Sequence, residues 1–196
     1  NLVYSFHKYW SYNDTESIQW VLDIRNQNNV PLWMGESGEN SNLWFTDAIR
    51  LFEENEIGWA WWPWKKTESI NSSLSISSNS NFQSVINYFE NQQNQPTVEN
   101  AMLGLMQFSN DSRIENTHYN RDVIDAMMRQ PHTDETVAYS NNAIPGVIHL
   151  TNYDLGPEQH AYSDAVSGTY QVSTGEYSTW NNGWSYRNDG VDIQES

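Results

Sequence analysis

The chain has 196 residues, room for one medium domain or one and a half small ones. Its formal charge of −16 argues against a nucleic-acid partner and against an anionic membrane surface, since both need a basic face. Cysteine is absent, which excludes disulfides, thiolate metal sites and cysteine nucleophiles, and no apolar stretch approaches the ~20 residues of a membrane helix. In chain order, Leu2 to Phe6 reads as a strand running into His7-Lys8-Tyr9-Trp10. Asp14 or Thr15 can cap a helix whose apolar side is Ile18, Val21, Leu22 and Ile24. After a turn at residues 26–29, Val30 to Met34 is a second strand that breaks at Gly35 and delivers Glu36, with Gly38 just beyond. Ser41 or Asn42 opens a second helix, and Ile57 to Trp62 is a third strand closed by Pro63. Strands and helices alternating in this way are the βα repeat of a parallel sheet or barrel. In such barrels a carboxylate at the C-terminal end of a strand is where catalysis is found, which singles out Glu36.

Beyond Lys66 the texture changes. Residues 67–81 are rich in Ser and Asn and read as a surface loop; helices are expected over 82–89, 98–108 and 120–129. The polar, aperiodic stretch 131–143 marks a boundary. From Ile144 the pattern is short and β-like (Val147 to Leu150, Ala161-Tyr162, Tyr170 to Val172, Val191 to Ile193), which suits a β-sandwich. The stretch 144–196 is shorter than the ~100 residues usual for a sandwich, so that domain is expected to be incomplete. Ten Trp and eleven Tyr against nine Lys plus Arg suit neutral sugars, whose C–H faces pack on rings; about half of these rings are expected to be core instead.

The words Asn1-Leu-Val-Tyr-Ser-Phe-His7-Lys-Tyr9, Pro31-Leu-Trp-Met-Gly-Glu36-Ser and Ile57-Gly-Trp-Ala-Trp-Trp62-Pro-Trp-Lys65 occur in that order. Together they resemble glycoside hydrolase family five, the cellulase family, whose fold is an eight-stranded βα barrel. The resemblance covers residues 1–135 and implies an α/β fold: a partial TIM barrel made of the last three βα units plus C-terminal helices. Residues 136–143 would be a linker. Residues 144–196 look like the start of a family-six-type carbohydrate-binding module, a truncated β-sandwich, through Ile144-Pro-Gly-Val-Ile, Asn152-Tyr-Asp, Ala161-Tyr-Ser-Asp164 and Tyr186-Arg-Asn-Asp-Gly-Val-Asp-Ile193. Where that family has Glu-Ala-Glu this chain has His149, Leu150 and Thr151, which puts the module's structural calcium in doubt; no other cofactor and no metal site is expected.

The resemblance implies that Glu36 is the nucleophile of a retaining β-glycanase, that His7 and Tyr9 attend it, and that Trp62 supports the sugar ring. Retention needs two carboxyl groups about 5–5.5 Å apart, with the nucleophile ionised. Glu39 is the competitor for Glu36, and His7 has a structural alternative. Asn40 and Lys65 are candidates for substrate hydroxyls, with a solvated loop as the equal alternative; Trp180, Trp184 and Tyr186 are candidate stacking residues of the module, with core packing as theirs. The family's acid/base glutamate follows an asparagine upstream of this chain. The one Asn-Glu pair here, Asn55-Glu56, precedes the third strand and falls at the wrong end of a barrel. The chain is therefore expected to be a fragment of a secreted, extracellular or periplasmic protein, inactive alone and, with open strand edges, poorly soluble. The partner expected is a polysaccharide, with no nucleic acid and no membrane. A non-catalytic glycan-binding protein with a degenerate barrel is the alternative.

Overall fold

The computed structural model describes residues 2–165, 171–172 and 185–193. The chain is mixed α/β, with two three-stranded sheets among the described residues, neither closed. The first sheet is parallel, in the order β1 (Tyr4–Lys8), β2 (Leu32–Ser37), β3 (Gly58–Trp59), with α1 (Thr15–Asn28) and α2 (Asn42–Glu54) as its crossovers. Asp14 caps α1, accepting from Ser17 N–H at 2.8 Å, and Ser41 caps α2, accepting from Trp44 N–H at 3.2 Å. β2 runs on past Gly35, so Glu36 belongs to the ladder rather than to the loop after it. β3 keeps only two ladder residues of the six expected. The chain beyond it still follows β2, through Ala60 N–H to Met34 C=O at 2.9 Å and Trp62 N–H to Ser37 C=O at 2.7 Å.

One face of this sheet is dry. Phe6, Leu32 and Met34 meet Ile18 and Val21 of α1 and Phe45, Ile49 and Phe52 of α2. α2 is buried on more than one side, because it also packs on α5 (Arg121–Met128), whose Val123 and Met127 join the same core. Each such side chain contributes about 1.5–3 kcal/mol of burial, so this layer dominates the stability of the first sheet. The other face carries Ser5, His7 and Trp33, all exposed, with the Trp33 ring lying against Gly58, where a Cβ would come within 2.7 Å.

The second sheet corrects the expected surface loop. β4 (Lys65–Thr67), β5 (Leu74–Ile76) and β6 (His118–Tyr119) pair across it, and Ser72, Ser73, Leu74 and Ile76 are buried. A serine-rich run can be buried when its polar atoms are satisfied locally. Here Ser72 Oγ donates to Leu74 C=O, and Asn120 Nδ2 donates to the carbonyls of Ser69 and Ser72. α3 (Ser80–Asn91) and α4 (Val98–Asp111) pack closely, with Phe82 stacked on Phe108 at 3.9 Å. Val98, Met102 and Met106 of α4 are left exposed. Among the described residues no helix is long and apolar enough to cross a membrane.

The expected sandwich strands are not formed among the described residues beyond 144. Val147 and Leu150 are exposed, residues 150–152 are a 3-10 turn, and Val137–Leu155 and Glu158–Tyr162 are isolated bridges. Tyr170, from another of the expected strands, lies outside the described residues. Instead, residues 185–193 dock on the N-terminus of α2 through a buried polar cluster. Asn188 N–H donates to Asp122 Oδ2 at 2.7 Å, and Asn42 Nδ2 bridges Asp122 Oδ2 and Asp189 Oδ1 at 2.8 and 2.7 Å. Arg187, 1% exposed, pairs with Asp189 at 2.7 Å and lies between the rings of Tyr153 and Tyr139, 3.8 and 4.8 Å from their centroids.

Asp122 and Asp189 thus share the Asn42 amide, and Arg187 pairs with Asp189. Burial, and then the neighbouring charge of Asp189, push the Asp122 carboxyl above its ordinary value. A raised carboxyl binds its proton more tightly in the folded chain than in the unfolded one. Its contribution to stability is therefore greatest in acid and falls as pH rises from about 4 through the raised value. Asp122→Asn keeps an oxygen for the Asn42 and Asn188 donors and removes the titration. Relative to wild type it should gain stability progressively between pH 4 and neutrality, in urea melts taken across that range; parallel pH profiles for the two proteins would rule this out.

Candidate active site

Strand alternation alone would not bring Glu36 to His7. Leu32 and Met34 face the core and Trp33 faces out, so in regular alternation residue 36 would point into the core with residue 34. The ladder instead slips by one between Phe6 and His7: Phe6 pairs with Met34, but His7 pairs with Glu36. Gly35 is the extra residue of this β-bulge, and it turns Glu36 to the open face and Ser37 to the core. A side chain at Gly35 would meet Ser5 Oγ at 2.6 Å, closer than a Cβ normally comes, while the His7 ring lies at ordinary contact distance, 3.6 Å.

Both oxygens of Glu36 are then engaged. Tyr9 Oη donates to Oε1 at 3.0 Å, and His7 Nδ1 lies 3.1 Å from Oε2. The Glu36 side chain is 31% exposed, open to an incoming molecule from one side. Burial first, then the hydrogen bond and charge of Glu36, raise the Tyr9 phenol well above its ordinary value, so it stays a donor throughout the accessible pH range. The carboxylate is fixed in its plane by a donor on one oxygen and an imidazole on the other.

Between His7 and Tyr9, Lys8 points to the core side and is 6% exposed. Its ammonium donates to Ser11 Oγ, Tyr12 C=O and Asn13 Oδ1 at 2.7–2.9 Å and lies 5.1 Å from the Trp44 ring centroid. Burial lowers it to about 8, with Asp14 acting in the opposite sense. Ser37 Oγ donates to Lys8 C=O at 2.7 Å, and Trp44 Nε1 donates to Ser11 C=O at 2.8 Å. Lys8, Ser37 and Trp44 therefore clamp the loop that presents Tyr9. Composition gave no hint of this, because lysine and serine beside a glycine-rich loop read as solvated.

On the far side of Glu36, Gly38 has φ 142°, and a Cβ there would come within 2.0 Å of the Trp62 carbonyl oxygen. This contact brings Trp62 beside the site with its side chain largely free; the residue is 55% exposed. Trp61, by contrast, packs into the core against Phe45 at 5.0 Å. Glu39, the competing carboxylate, pairs with Lys66 at 3.4 Å. Asn40 differs from its expected role. It is fully buried, its amide donates to Gln171 C=O and its oxygen accepts from the N–H groups of Gln171 and Ser41, so it builds the docking cluster rather than facing an open site. Lys65 donates to the Ser112 carbonyl, on the α4 side of the second sheet. Tyr186 donates to Asn152 Oδ1 and meets Tyr139 edge-on. Trp180 and Trp184 lie outside the described residues.

Comparison with protein-family models, curated proteins and solved structures finds no match. What can be said of the site rests on its geometry: a carboxylate at the C-terminal end of a central parallel strand, held by a phenol and an imidazole, with an exposed indole on each flank (Trp10 and Trp62). Among the described residues no group of three or more His, Asp or Glu is placed to hold a metal ion.

Proposed function

We propose that this chain is the nucleophile-bearing part of a retaining glycoside hydrolase, with Glu36 as the nucleophile. The observation that carries it is the pairing of Glu36 with Tyr9 and His7 across adjacent parallel strands. That is the arrangement expected from the resemblance to the cellulase family, and it supports residues 1–135 being the last three βα units of a barrel with their C-terminal helices. In this reaction the Glu36 carboxylate attacks the anomeric carbon as the glycosidic oxygen leaves with a proton from a second carboxylic acid. Water then attacks the glycosyl ester, gives its proton to that second carboxylate and frees Glu36.

The second carboxyl group is supplied by the part of the parent protein upstream of β1. Asn55-Glu56 does not fill the role: Trp33 pairs with Gly58, so Glu56 lies level with Pro31, roughly 17 Å along the strand from Glu36. Residues 144–196 are proposed to begin a sugar-binding module, and the parent to be secreted.

A panel of β-1,4-glucan, β-1,3-glucan, mannan and xylan, incubated with the natural protein that contains this chain, tests the proposal. Hydrolysis with the anomeric configuration of the product retained, followed by NMR, is the expected result. Inversion, or glycan binding without any hydrolysis, would reject it; the latter result would favour a non-catalytic glycan-binding protein.

A further inference from the structure

Trp10 follows β1 in an unusual state. Its φ is 43°, in the left-handed region that a bulky aromatic residue rarely adopts and that persists only where surrounding contacts enforce it. One such contact is the indole N–H, which donates to the Glu39 carbonyl at 3.2 Å and so ties the loop after β1 to the loop after β2. The ring meets Tyr9 edge-on at 6.3 Å and remains 39% exposed. A tryptophan serving only as core would bury that area. This one is locked in orientation, partly open and adjacent to the residue that holds Glu36.

The strand order gives the position meaning. Trp10 follows β1, Glu36 lies near the end of β2 and Trp62 follows β3, so the two exposed tryptophans leave the strands on either side of the one that carries the carboxylate. β1 and β3 are two inter-strand steps apart, roughly 10 Å, which is wider than one pyranose ring. We propose that Trp10 is a second sugar-stacking face, placed across Glu36 from Trp62, so that the site takes a run of neutral pyranose rings lying across the strand ends rather than a single sugar. This rests on the glycoside reading of Glu36 and extends it to the class of substrate. Neutral rings suit the surface because an anionic glycan would meet Glu36 and Glu39 in a chain of net charge −16.

The test titrates the natural protein that contains this chain, as its Glu36→Gln form so that glycans are bound and not cleaved, isotope-labelled on its indole nitrogens, with the β-1,4-gluco, β-1,3-gluco, β-1,4-manno and β-1,4-xylo tetrasaccharides, and with glucose as the single-ring control. Trp10→Ala should weaken the tetrasaccharide that binds best by about ten-fold, the order expected for one lost stacking contact. Trp10→Phe keeps a flat face but not the N–H, and should retain most of the affinity. The platform is overturned, with the glycoside reading intact, if Trp62→Ala weakens binding and Trp10→Ala does not. It is also overturned if Trp10→Phe binds as poorly as Trp10→Ala, which would make the residue a strut, or if glucose binds as tightly as the tetrasaccharide. Failure of the protein with an intact Trp10 to bind any tetrasaccharide would reject both the platform and the glycoside reading.

Discussion

Glu36→Gln is expected to lower hydrolysis by the parent enzyme by roughly 10⁴-fold or more, while leaving affinity for glycan nearly unchanged. The amide keeps the size of the carboxylate and can still accept from Tyr9 Oη, so the site should hold its shape. What it loses is the charge that attacks the anomeric carbon, and no nearby group replaces it. His7 is held against Glu36 rather than aimed past it, and Glu39 is paired with Lys66. Tyr9→Phe should cost less, because the nucleophile remains and only its positioning donor goes. Single-turnover rates set beside equilibrium binding of the same glycan separate these effects. A Glu36→Gln enzyme with more than about a tenth of wild-type turnover would remove Glu36 from the mechanism.

The second large effect concerns stability. Arg187→Leu should destabilise the chain by about 3–5 kcal/mol, because it strands the Asp189 carboxylate in a buried site without its paired cation. Part of the loss should return in Arg187→Leu/Asp189→Leu, where no unpaired charge is created at that position. Urea denaturation measures both; a single-variant loss under about 1 kcal/mol would show that the cluster is solvated rather than buried. The effect should spread toward the site. Asn188 Nδ2 donates to Asn40 C=O and to Asn42 Oδ1, on either side of the Ser41 cap. Releasing residues 185–193 would therefore expose the first turn of α2, and amide exchange of Trp44 should quicken with it.

These features were unequally legible in the sequence. The apolar run that stops at Gly35 marked β2 and its terminal glutamate, since a glycine-bounded strand in a βα repeat has few other meanings. The same pattern could not count the ladder: whether Gly35 pairs or bulges is settled between β1 and β2, whose paired residues lie 28 positions apart before the bulge and 29 after it. Lys8 was invisible for a different reason. Its burial is made possible by three acceptors from the loop that follows, and only a folded loop brings them together. The stretch 67–81 reads as loop because serine has no preference strong enough to oppose that reading, yet Asn120, far along the chain, supplies the hydrogen bonds that let part of it go inside. Beyond residue 144 the local β-pattern was real in composition, but strands need neighbours, and the described residues there use their polar groups against α2 and α5 instead.

The bulge at Gly35 also leaves β2 a choice of two frames. In one, Gly35 is skipped and Glu36 stands opposite His7 on the open face. In the other, Gly35 would take the place opposite His7, and alternation would send Glu36 into the core with Met34. A buried, unpaired carboxylate costs several kcal/mol, so the chain cannot settle into that second frame. The charge that the site needs for its chemistry is thus also what selects the register of the strand that carries it.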